Sequence, residues 1–284
     1  MADVKTAAAR PSSPGNRAGK PKNANYTLIN FIIVVACVAL AEGVFHGVFG
    51  QASNFRDAEK HVPANFAGTM YSGGWVVPIL MATALTLLCF VVERALTIMK
   101  AKGKVNAAEF VRKVQYHLAN KNVDAALAEC DKQAGSVGNV MRAGLVKYRD
   151  MTNNHELDTD QKVLSIQKEI EEATALELPM LEKNLVFLST IASCATLFGL
   201  FGTVLGMIRA FQAMGQAGAP DAAALANGIS EALINTALGI GTSAIAIIMY
   251  NYFTSKIDEL TYGIDEAGFS ITQNFATQQA ARVA

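Results

Sequence analysis

The chain has 284 residues, of which 51% are hydrophobic and only 17% charged, and its mean hydropathy is +0.26. Soluble domains carry about 25% charged residues, so this composition points away from a wholly soluble protein and toward membrane spans joined to a sizeable polar part. The 24 basic and 24 acidic residues cancel, which leaves no argument for nucleic acid or for a generally anionic partner.

Residues 1–25 contain Pro11, Pro14, Pro21, Gly15 and Gly19 with Lys5, Arg10, Arg17, Lys20 and Lys22. This composition cannot bury a core and reads as a disordered basic tail. The apolar run after it is too long for a signal-peptide core and has no small-x-small cleavage site, so the tail is expected to be uncleaved. Four apolar runs follow, Leu28–Phe49, Trp75–Met99, Leu185–Phe211 and Leu225–Phe253. Each is long enough to cross about 30 Å of hydrocarbon at 1.5 Å per residue.

The flanking charges set the expected orientation. The basic tail precedes the first span, and Arg94, Lys100, Lys102 and Lys104 close the second. Between these spans Arg56 and Lys60 are balanced by Asp57 and Glu59, and the last connection carries only Asp221. The reading is a tail (1–25), a first span (26–50), a periplasmic loop (51–74), a second span (75–99), a cytoplasmic helical domain (100–184), two paired spans (185–253, as 185–211 and 225–253) and a cytoplasmic C-terminal helix (254–284). Both termini are then cytoplasmic. Within 100–184 the stripes Phe110/Val111/Val114/Leu118, Val137/Met141/Leu145/Tyr148 and Val163/Ile166/Ile170 recur at helical spacing. The last stripe runs into the third span with Pro179 as its one interruption, so a kink is expected there. Ile257, Leu260, Ile264, Ile271 and Phe275 continue the fourth span as an amphipathic helix. The fold class is all-α, a four-span membrane protein whose helices extend into a helical domain.

The last two spans are more polar than lipid anchors need to be. The third holds Thr196, Gly199, Gly202, Thr203 and Gly206, with Gly202 and Gly206 at the G-x-x-x-G spacing of closely packed helices. The fourth holds Glu231, Asn235, Thr236 and Gly239. A carboxyl group well inside a span is costly and usually faces a cavity or a partner. Glu231 has no basic residue in its own span, which argues against a simple ion pair. The alternative is a hydrogen-bonding group that only joins helices. Asn235 and Thr236, four and five residues on, are expected on roughly the same side of that helix as Glu231.

GLFGTVLGMI (Gly199–Ile208) resembles the penultimate span of the ExbB/TolQ group within the MotA/TolQ/ExbB proton channel family, and GISEALINTALGI (Gly228–Ile240) is similar to its last span. VERALTIMK (Val92–Lys100) and Lys121–Tyr148 resemble preceding regions, so the resemblance covers about residues 75–255. It implies a subunit of an inner-membrane proton channel or motor that energises a TonB- or TolA-like transducer. It also implies a homopentamer enclosing an ExbD/TolR-like single-span dimer that carries the protonatable aspartate. Thr203, Glu231 and Thr236, with Asn235 and Thr196, would line the proton pathway, and Gly199, Gly202, Gly206 and Gly239 would pack the helices. The extra first span departs from ExbB and TolQ and matches the MotA arrangement, so a motility stator remains an alternative, as does a non-conducting scaffold. Thr196 stands where that group often has proline.

No nucleophile–base pair falls inside a span, so an enzyme is not expected. No cofactor is expected either. Cys37, Cys89 and Cys194 lie in apolar runs, Cys130 lies in a polar one, and His46, His61, His117 and His155 are scattered, so no metal site is expected. Glu42 and His46, four apart, can touch near the outer end of the first span. Glu93 and Arg94 read as interfacial anchors.

Overall fold

The computed structural model describes residues 23–56, 63–216 and 222–283. Most of the basic tail (1–22), the loop charges Asp57, Glu59 and Lys60, and Asp221 lie outside the described residues. Among the described residues there is no strand, only a single antiparallel bridge between Phe55 and Pro63. The protein is all-α, and four of its helices are long and apolar enough to cross a membrane.

Helix α1 (Asn23–Val44) ends in a widened turn, Phe45–Phe49. A short connector then leads through α2 (Phe66–Ser72) to α3 (Val76–Lys102). Two asparagines shape the connector. Asn65 caps α2 by accepting from the Gly68 N–H at 3.0 Å, and its own amide donates to Asn54 Oδ1 at 2.9 Å. Phe45 stacks on Tyr71 with ring centroids 4.8 Å apart, which fastens the end of α1 to α2. Elsewhere α1 leaves Leu28, Phe31, Ile32 and Leu40 exposed, as a helix facing lipid does.

Helix α3 stops at Gly103, whose φ of +78° suits glycine. The helices α4 (Ala107–Ala119), α5 (Val123–Gln133), α6 (Ser136–Asn153) and α7 (Thr159–Glu182) follow. Asn106, Asn122 and Asp158 cap three of them, the last as a full capping box with Gln161. Their apolar stripes, including Val114, Leu118, Met141, Leu145 and Ile166, meet Ile257, Ile264, Ile271 and Phe275 in one core. Helix α8 (Leu185–Gln216) returns through the membrane layer. Helix α9 (Ala222–Val283) then runs unbroken for 62 residues, about 90 Å, down to the far end of this bundle.

The sequence reading placed the interruption at Pro179, and the structure moves it. Pro179 sits inside α7, and the chain breaks at Lys183–Asn184. Pro179 removes one backbone donor, but its own carbonyl still accepts from Lys183 N–H at 3.1 Å. The helix ends where Asn184 takes a left-handed conformation, φ +65°, which asparagine tolerates better than most residues.

Candidate functional site

The site is the seam between α8 and α9. Four glycines let the two backbones meet. A Cβ on Gly239 would lie 2.6 Å from the Ala195 carbonyl oxygen and 2.7 Å from Gly199 Cα. One on Gly206 would lie 2.8 Å from Ala232 N, and one on Gly202 would lie 2.5 Å from Asn235 Cβ. Gly199, Gly202, Gly206 and Gly239 therefore sit on a contact within one copy of the chain, and larger residues there would force the pair apart.

Thr203 and Thr236 face each other across the seam and hydrogen-bond hydroxyl to hydroxyl. The Thr203 hydroxyl also lies 3.1 Å from the Gly199 carbonyl. Beside them Thr203, Val204, Met207, Ile208, Phe211 and Gln212 line an open groove. Thr196 is exposed almost two turns before Thr203.

Glu231 belongs to a different cluster. Its carboxylate pairs with Arg209 of α8 (Nη1–Oε1 2.5 Å), and its side chain is 10% exposed against 46% for the arginine. This corrects the argument against an ion pair, which looked for a base only along the same helix. The basic partner stands across the hairpin, 22 residues earlier. The pair lies against Gly74 between α2 and α3: a Cβ there would be 2.4 Å from Glu231 Oε1. Asn235 is fully buried, and its amide donates to the Gly73 carbonyl at 2.9 Å. The structure thus brings Thr203 to Thr236, and Glu231 and Asn235 to the α2–α3 turn. Residues 231 and 236 are five apart, about 140° around the helix, so the two groups occupy opposite edges of the seam.

Residues 133–266, which contain this seam, match the MotA/TolQ/ExbB proton channel family. Over these residues the chain is similar to that family. Among its relatives are the Tol-Pal system protein TolQ of Pseudomonas aeruginosa, 32% identical over 141 residues (47% of this chain, 61% of that protein), and TolQ of Haemophilus influenzae, 40% identical over 94 residues (32% and 41%). The biopolymer transport protein ExbB of Neisseria gonorrhoeae is 29% identical over 199 residues, 68% of this chain and 86% of that protein. The aligned part of the chain thus spans less than two thirds of either TolQ protein.

A second polar cluster of this chain went unread in the sequence. Arg94, taken there as an interfacial anchor, is only 2% exposed. Its guanidinium makes two 2.6 Å contacts to the Glu93 carboxylate and donates to the Leu181 carbonyl at 3.1 Å. Asn184 donates to Glu93 at 3.2 Å and accepts from Asn30 at 2.8 Å. One network therefore joins α1, α3 and the break between α7 and α8. The adjacent Glu93–Arg94 pair in an otherwise apolar helix was its only sequence signal. Glu42 and His46 do touch, at 3.4 Å, with both side chains more than half exposed.

Proposed function

We propose that the chain is the ExbB/TolQ-like subunit of a proton channel or motor in the bacterial inner membrane, which uses the proton motive force to energise a TonB- or TolA-like periplasmic transducer. It would work as a homopentamer whose α8–α9 pairs surround an ExbD/TolR-like dimer of single-span proteins bearing the protonatable aspartate. The segment 51–74 would face the periplasm, and both termini and the helical domain 100–184 would face the cytoplasm. The observation that carries the reading is the Thr203–Thr236 contact. Two hydroxyls meet beside an open groove on helices that resemble the family's last two spans, and among the described residues the Thr203 hydroxyl's other contacts are the Gly199 and Ala232 carbonyls. A hydroxyl both donates and accepts, so such a pair can pass a proton without holding a charge in the membrane. The principal titrating group then belongs to the partner. One unit charge moving across 100 mV releases about 2.3 kcal/mol, so a few protons per step suffice for substantial conformational work.

The test is a Thr203→Val, Thr236→Val double variant. Both changes keep the side-chain volume and remove the hydroxyls. We expect loss of proton-motive-force-dependent transducer work in cells, with the complex intact by native mass spectrometry; undiminished work in an intact complex rejects the channel-lining role. A motility stator is the second reading, favoured by one observation, the fourth span α1 ahead of the other three. Swimming or gliding defects in a deletion strain with normal outer-membrane uptake select it.

A further inference from the structure

Arg209 is an uncommon residue for its place. It lies near the end of a 32-residue apolar helix, half exposed, and it pairs with a carboxylate on the opposite helix. The consequence falls on Glu231, which is held down onto the backbone of the α2–α3 turn. Gly74 has φ +76°, and an added Cβ would meet Glu231 Oε1 at 2.4 Å and Arg209 Nη1 at 3.2 Å. The preceding residue is clasped by the same turn of α9. The Gly73 carbonyl accepts from Asn235, and a Cβ on Gly73 would lie 3.0 Å from Ile234 Cγ2. Glu231, Ile234 and Asn235 thus make a three-point seat for two consecutive glycines. Behind that seat the connector is itself tied down, through Tyr71 stacked on Phe45 and through the bonded asparagines 54 and 65.

We propose that Arg209 is a positioning residue. It fixes Glu231 on the α2–α3 turn, so that Glu231 latches the connector to the α8–α9 pair and is not the group that relays protons. Thr203 and Thr236 hydrogen-bond each other on the other edge of the seam, and among the described residues the Thr203 hydroxyl's further contacts are the Gly199 and Ala232 carbonyls. A displacement of α8 against α9 would then be felt directly by the connector, and beyond it by the end of α1. An ion pair within a membrane layer loses more when one partner is removed than when both are, because the survivor is left as an uncompensated charge. The carboxylate itself is needed only as a partner for the arginine, and a neutral pair that hydrogen-bonds across the same gap should serve the latch.

The functional half of the proposal rests on the channel reading above; the structural half does not. The experiment uses the full chain in lipid nanodiscs, with hydrogen exchange of residues 66–77 read by mass spectrometry, and transducer work measured in cells for the same variants. Arg209→Gln and Glu231→Gln singly are expected to speed exchange in that segment by about tenfold or more and to cut work in parallel. The double variant Arg209→Gln, Glu231→Gln is expected to return both to within about threefold of the starting protein, a coupling of the kind a double-mutant cycle detects. Arg209→Lys, which keeps the charge, should behave like the parent in exchange. Unchanged exchange in both single variants overturns the latch. A double variant whose turn is protected but whose work stays abolished overturns it too, because the carboxylate is then required for itself. If the parent protein supports no proton-motive-force-dependent work, the channel reading fails and the exchange measurements alone decide the latch.

Discussion

Helix α9 is packed by two different rules along its length. In its first half the contacts are backbone on backbone: Gly199, Gly206, Gly228 and Gly239 each place a hypothetical Cβ within 3.0 Å of main-chain atoms of the facing helix. In its second half Ile257, Leu260, Ile264, Ile271 and Phe275 are at most 6% exposed and fill the bundle with side chains. Glycines occur in the bundle too, but Gly268 of α9 and Gly144 of α6 meet the side chain of Ile170, not backbone. The difference follows from solvent. Bringing apolar side chains together gains little in lipid, so helices there associate through close contact and buried hydrogen bonds. In water, burial of large apolar groups drives packing. The first half of α9 is therefore sensitive to added atoms and the second to removed ones.

The largest effect tests the second half. Phe275 is 1% exposed and meets Tyr148 edge-on at 4.9 Å. Phe275→Ala should destabilise the bundle by about 3–5 kcal/mol, the usual range for emptying a core phenylalanine site, as read by thermal unfolding in detergent. A smaller effect separates the two glycine classes. Gly239→Ala should cost about 1–3 kcal/mol, the range for overpacking, although alanine favours the helix by about 1 kcal/mol. Gly268→Ala gains the same propensity and meets the γ-methyl of Ile170, 2.9 Å away, and no backbone, so it should cost less than Gly239→Ala. Equal effects from the two substitutions would dissolve the distinction.

Both halves were legible in the sequence, for different reasons. The side-chain stripes of the bundle recur at helical spacing, and the core holds the same residues: Phe110, Val114, Met141, Tyr148, Ile166 and Phe275 are all buried. The glycines of α8 and α9 announced close approach, though not that the contact lies within one chain. Two polar clusters were not legible. Arg209 and Glu231 stand 22 residues apart on antiparallel helices, and no periodicity along either helix brings them together; only the register of the hairpin does. The position of the helix break was missed because a proline announces itself and an asparagine does not. Asn184 ends α7 through a left-handed backbone and the bonds its side chain makes to α1 and α3, and both depend on tertiary neighbours.

The smallest effect sharpens the boundary between the halves. Among the described residues, Asn30 is the one of α1 in the Glu93–Arg94–Asn184 network, donating to Asn184 Oδ1 at 2.8 Å. Its removal leaves Asn184 still bonded to Glu93 and Arg94 still bonded to Glu93 and to the Leu181 carbonyl, so no charge is stranded. Interhelical hydrogen bonds in membranes average about 0.6 kcal/mol, and Asn30→Ala should lower stability by about that amount. The local consequence should be easier to see than the global one. Cys37 and Cys89 face each other from α1 and α3 with sulfurs 3.8 Å apart and no disulfide between them. An oxidant that reaches the membrane interior should join them in the parent protein, and the crosslink reads the α1–α3 distance directly. If the asparagine bond holds α1 in place, Asn30→Ala should slow crosslinking severalfold while thermal stability barely moves. An unchanged rate would mean that the contacts of Phe45 with Tyr71 and of α1 along α3 seat the helix by themselves, with the network serving only α3 and the α7–α8 break.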